Sequence, residues 1–150
     1  QIKQFSFKLK EQVARNKKIY CIDNGFITAK AFQLTPDLGR LYENCVAVQL
    51  KKQELRGEHH IYFWKDSQQN EIDFVVKEGL KVAQLIQVCS AGDNRKTKER
   101  EIRALLKASQ ELRCDNLLII TRDKETEETA EWFGIKRKIK YLPLWKWLTL

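Results

Sequence analysis

Three oxygen-bearing side chains, Glu43, Asp73 and Gln87, stand in runs that are otherwise strongly apolar. Asp73 sits in the middle of "EIDFVV", residues 71–76, and Gln87 in "LIQVCS", residues 85–90, both with the β-branched, apolar character of strands. A buried carboxylate or amide is costly unless a hydrogen-bond donor or a metal ion satisfies it. Because side chains alternate across a strand, Asp73 is expected to share a face with Val75, away from Ile72, Phe74 and Val76. Gln87 shares a face with Leu85 and Cys89, so pairing through the "KEGL" turn would set the two polar groups side by side. Glu43 has Val46, Ala47 and Leu50 at i+3, i+4 and i+7, which turns it toward a core. The three groups can therefore converge. The plainer alternative is structural: Asp73 capping a helix or accepting from Arg100, Gln87 bonding backbone across the sheet, and Glu43 pairing with Arg103 or Lys98.

The elements that must position these residues are legible. "KKIYCID", residues 17–23, reads as a short strand before a "DNG" turn. A helix is expected from a Thr35 cap and Pro36 to about Arg56, ahead of Gly57, and largely buried up to residue 50. Strands follow at 60–64, 71–76 and 82–89, then an amphipathic helix over 96–113 with Ile102, Leu105, Leu106, Ser109 and Leu112 on one face. "NLLIIT", 116–121, has the composition of a strand buried on both faces. The acidic run "DKETEETAE", 123–131, is expected to open a short helix, and "KIKYLPLWKWL" to form a strand ending at Pro143 with an aromatic tail. This order predicts an α/β fold, a central mixed sheet with helices on both faces and the strands at 71–76, 82–89 and 116–121 adjacent.

The length suits one domain: a leading segment over 1–35, a core over 36–121 and a C-terminal extension over 122–150. Gln at position 1 and the absence of Met suggest a piece of a longer protein. No apolar run approaches the roughly 18 residues of a membrane span. Four cysteines without a CxxC pair suit reduced thiols in a cytoplasmic protein, and the adjacent His59 and His60 suit a solvated turn. No GxxxxGK[ST] phosphate loop is present, so this chain is not itself an ATP-hydrolysing part.

The net charge of +8 favours a polyanionic partner, DNA before RNA, or an acidic protein surface. The excess is concentrated: residues 1–20 carry six Lys or Arg against Glu11 alone, 95–113 seven against three Glu, and 136–150 five against none. Arg95, Lys96, Lys98, Arg103, Lys136, Arg137 and Lys138 are the candidate nucleic-acid contacts. Trp145 and Trp147, with Lys146 between them, would suit stacking on single strands, although such a tail more often seals a core.

An acidic residue on a first helix, an Asp in a second strand, a polar triplet in a third, then a helix and a buried strand resemble the PD-(D/E)xK nuclease superfamily with its restriction-endonuclease-like fold. "KKIYCIDNGF", "GRLYENCVAVQL", "NEIDFVV", "LIQVCS", "KEREIRAL" and "LPLWKWL" are also similar, in this order, to a C-terminal domain of unassigned function found behind an AAA-type P-loop ATPase domain in bacteria and archaea. The resemblance covers nearly the whole chain. It implies a Mg²⁺ site in which Asp73 is the central ligand and Glu43 an auxiliary one, with ATP bound only by an upstream domain. Gln87 then stands for the triplet acid and Cys89 for its lysine; the first substitution weakens the metal, and the second removes the cation that manages the attacking water. Lys98 or Arg100, Arg100 then being a catalytic residue, would have to reach in from the second long helix. Three functions remain open: a nucleic-acid-binding module with a degenerate metal site, an active Mg²⁺-dependent nuclease, and a docking domain that meets an acidic partner or its own ATPase domain.

Overall fold

The computed structural model describes residues 1–8, 16–30, 37–89 and 95–150. Its elements run β1 (Ile2–Gln4), β2 (Lys17–Lys18), α1 (Asn24–Lys30), α2 (Leu38–Leu55), β3 (His60–Lys65), β4 (Glu71–Glu78), β5 (Lys81–Val88), α3 (Arg95–Leu112), β6 (Leu117–Thr121), β7 (Thr126–Trp132), β8 (Ile135–Pro143) and α4 (Leu144–Trp147). Eight strands form one mixed sheet in the order β2-β1-β3-β4-β5-β6-β8-β7. β3, β4 and β5 make an antiparallel meander, and β5, β6 and β8 run parallel. The expected adjacency of the strands at 71–76, 82–89 and 116–121 is present.

Each long helix covers one face. Ala104, Leu105, Leu106 and Ala108 of α3 pack with Ile72, Val75, Leu85, Leu117 and Ile119, whereas Val46, Ala47 and Leu50 of α2 pack with Phe63, Phe74, Val76, Ile86 and Leu118. The α2 cap is Asp37, whose carboxylate accepts from the Arg40 N–H; Thr35 and Pro36 lie outside the described residues. α2 is also less enclosed than expected, since Leu38 is exposed and only Asn44, Val46, Ala47 and Leu50 are buried.

Two segments differ in kind from the sequence expectation. The strand expected over 17–23 is only two residues long, and helix α1 follows it from Asn24. The acidic run is the edge strand β7, not a helix: Thr126, Glu128, Ala130 and Trp132 turn inward while Glu127, Thr129 and Glu131 face water. Phe133 and Gly134 close its hairpin with β8, both at positive φ (47° and 76°), the geometry of a two-residue primed turn.

A bulge in β4 matters most for the site. Tyr62 pairs with Val75 but Trp64 with Ile72, so Phe63 faces both Asp73 and Phe74. The extra residue breaks the period of two. Ile72 and Val75 thus both enter the core beneath α3, and Asp73 is turned to the α2 side, not to the face of Val75 as strict alternation predicts.

Candidate functional site

Lys18, on β2, is paired opposite Ile2, which belongs to the core beneath α2, so its side chain enters on that side of the sheet. Its ammonium lies 2.9 Å from Glu43 Oε1, 2.6 Å from Glu71 Oε1 and 3.1 Å from Asp73 Oδ1, and 5.6 Å from the Phe63 ring centroid. The Tyr20 hydroxyl donates to Glu43 Oε1 at 2.6 Å. One ammonium therefore bridges three carboxylates carried by a helix and a bulged strand.

The electrostatics follow from this crowding. Burial alone would lower the Lys18 pKa, but the charges of Asp73 and Glu43 and the bonds to Glu71 and Glu43 outweigh it and raise it above that of an ordinary lysine. Burial, with the charge of Glu43 added, pushes Asp73 up to about 7, against the pull of Lys18 and the Val88 N–H. Tyr20 is raised by burial and then by Glu43, so it stays a neutral donor.

Gln87 answers for the bulge. Asp73 loses regular ladder pairing there, and its N–H donates to Gln87 Oε1 at 3.2 Å; in return the Val88 N–H donates to Asp73 Oδ2 at 3.0 Å. The amide in an apolar strand thus satisfies a buried backbone donor, one of the structural alternatives read from the sequence. Gln87 does this from the face it shares with Leu85, with its carbonyl oxygen turned to the Asp73 N–H.

The structure therefore unites Glu43 with Asp73 and Asp73 with Gln87, but not as three open oxygen ligands. Lys18 stands between Glu43 and Asp73, Gln87 bonds backbone, and among the described residues no group of three or more His, Cys, Asp or Glu side chains is arranged to hold a metal ion. As arranged, the three carboxylates are occupied by the Lys18 ammonium. The cation at the cluster is neither expected residue: α3 packs on the opposite face, Arg100 is exposed, and Lys98 lies 3.0 Å from Glu128 and 5.5 Å from the Tyr141 ring centroid. Cys89 hydrogen-bonds Glu101 on that same face. Lys18, Tyr20 and Glu71 were the residues that sequence reasoning missed. Glu71 is two positions before Asp73, and Lys18 lies in the basic, aromatic run "KKIY".

The candidate nucleic-acid contacts divide between both faces of the sheet. Arg103 of α3 pairs with Glu99, and Arg137 with Asp115 at 2.7 Å; the side chains of Arg95 and Lys96 lie outside the described residues. Lys136, Lys138 and Lys140 alternate with Arg137 and Ile139 along β8, are exposed, and point to the α2 side like Leu142. Lys138 is 3.2 Å from Glu127. The four cysteines form no disulfide, Cys114 is the fully buried one of them, and His60 is exposed beside Glu54.

Residues 38–147 match the family model described as Domain of unknown function (DUF4143), and the chain belongs to this family. It is also 32% identical over 144 residues to the "Uncharacterized protein MJ1544" of Methanocaldococcus jannaschii. That alignment takes in 95% of this chain and 31% of the relative, so the chain spans about a third of the relative's length. No helix among the described residues is long and apolar enough to cross a membrane.

Proposed function

We propose that this is a nuclease-like domain that holds nucleic acid, DNA before RNA, without cutting it, as the C-terminal part of a longer ATPase. The observation that carries the reading is the closed cluster: carboxylates from a helix and from a bulged strand meet, as in a PD-(D/E)xK site, but around the Lys18 ammonium. A metal would have to displace a cation held at 2.6–3.1 Å by three partners, and no group of the third strand completes its coordination. Binding is assigned to the lysine row of β8, whose side chains recur about 6.8 Å apart, a step suited to successive phosphates of an extended strand. The ATPase rests on the sequence resemblance; the other two thirds of the archaeal relative leave room for such a domain.

A docking role has one observation in its favour: Lys98, Arg137 and Lys138 are engaged by Glu128, Asp115 and Glu127, which reduces the charge free for phosphate. Fluorescence anisotropy on single- and double-stranded DNA across 50–300 mM NaCl separates the two readings. Nucleic-acid binding through Lys136, Lys138 and Lys140 predicts micromolar affinity with a log–log salt slope of about −2 to −3, flattened by Lys136→Ala with Lys138→Ala. No binding at 50 mM NaCl would decide for docking. Plasmid incubation with Mg²⁺ or Mn²⁺ should show no cleavage, and cleavage abolished by Asp73→Ala would refute the closed cluster.

A further inference from the structure

The outer side of α2 carries an apolar groove that the carboxylate cluster does not use. One cavity of about 240 Å³ is walled by Ile2, Tyr20, Ile22, Val48, Lys52 and Leu55 among others. A second, of about 300 Å³, shares Ile22, Val48 and Lys52 with it and continues toward Leu148. Ile22 and Leu55 on the rim are 82% and 80% exposed, and Phe26 of the neighbouring α1 is 62% exposed. Large apolar side chains gathered at a concave surface mark an interaction site more often than isolated exposed ones do. The charged groups of the walls are unequal. Asp23 turns its carboxylate onto the Gly25 N–H at 2.6 Å, and Lys51 is bound by Glu54, while Lys52 has no ion-pair partner among the described residues.

From this geometry we infer that the groove receives an amphipathic helix with acidic flanks: two apolar side chains from successive turns fill the adjoining cavities and a carboxylate meets Lys52. The occupant follows from charge complementarity. The domain carries +8, and Lys52 stands on the walls of both cavities whereas Asp23 lines only the second, its carboxylate turned onto the Gly25 N–H, so an acidic flank is drawn in and a basic one is turned away. The site also adjoins the cluster. Tyr20 forms one wall while its hydroxyl bonds Glu43, so an occupant would press on a residue that donates to one of the three carboxylates.

The test uses two fluorescein-labelled 18-residue helical probes, one built of Glu and Leu and the other of Lys and Leu in the same pattern, titrated with the domain at 100 mM NaCl. The acidic probe should bind, and both Lys52→Glu and Leu55→Asp should weaken it about tenfold. Both positions lie at the surface, and circular dichroism confirms that the variants fold. Binding unaffected by either change, no binding of the acidic probe, or equal binding of the basic probe would each overturn the proposal. So would displacement of the probe by single-stranded DNA together with loss of DNA binding in Lys52→Glu, which would give the groove to nucleic acid.

Discussion

Lys18→Ala isolates what the closed cluster does for the fold. It strips the Lys18 cation from Asp73, which is buried, and from Glu43 and Glu71, whose side chains are 25% and 31% exposed; Glu71 keeps Lys65 at 3.4 Å. Removing one partner from a buried ion pair costs about 3–5 kcal/mol, and the water reaching Glu43 and Glu71 screens part of it, so about 3 kcal/mol is expected at pH 8.5. The cost should depend on pH. Burial and Glu43 raise Asp73 from 3.8 to about 7, so the fold binds this proton more tightly than the unfolded chain does. The stability linked to that proton is complete below pH 3.8 and lost as pH rises through about 7. At pH 5 Asp73 is neutral in the fold with or without Lys18, and of the two screened carboxylates only Glu43 is left without a cation, Glu71 keeping Lys65, a loss of about 1 kcal/mol. Above pH 7 the ionised Asp73 depends on Lys18, and the variant falls further behind. Urea unfolding at pH 5.0 and 8.5 reads the difference directly, and Asp73→Asn should recover most of the pH 8.5 loss in a double-mutant cycle. An equal cost at both pH values, or no rescue by Asp73→Asn, would refute the claim that Lys18 is the counter-ion of Asp73.

Gln87→Leu keeps the bulk but leaves the Asp73 N–H without its acceptor; a loss of about 1–3 kcal/mol in urea unfolding is expected, while Gln87→Glu, which keeps an acceptor, should cost less at pH 5 than at pH 8. Asn44→Ala removes bonds to the Cys21 N–H and carbonyl and to Asn24 Oδ1, so about 2–3 kcal/mol should be lost; hydrogen exchange should show residues 19–24 opening before the sheet does.

The parts of this fold that rest on local pattern were readable in the sequence. Ile102, Leu105, Leu106 and Leu112 predict α3 because a helix repeats every 3.6 residues, and "NLLIIT" predicts a central strand because it is apolar on both faces. β7 was misread since its solvent side is Glu and Thr: the acid content suggested a helix start, while the alternation and the turn at Phe133–Gly134 decide for a strand. The site was half legible. Glu43, Asp73 and Gln87 announce themselves as polar residues in apolar runs. The bulge depends on how Tyr62 and Trp64 register against β4, and Lys18 meets partners 25 and 55 residues away, so neither leaves a local trace.

On the proposed reading, the sheet order separates the carboxylates from the exposed lysines. Three carboxylates around one ammonium leave the cluster net negative when all are ionised, and a pKa near 7 at Asp73 is the fold's partial relief of that excess. Phosphate gains nothing by approaching such a group unless a multivalent cation stands between them, and the place for one is filled by Lys18. The exposed lysines are elsewhere. β8 is separated from β4 by β5 and β6, and three steps of about 4.8 Å put the lysine row about 14 Å from the strand of Asp73. On the proposed reading, a strand held along β8 would have its phosphates about that far from the carboxylates, and it would be held without being cut.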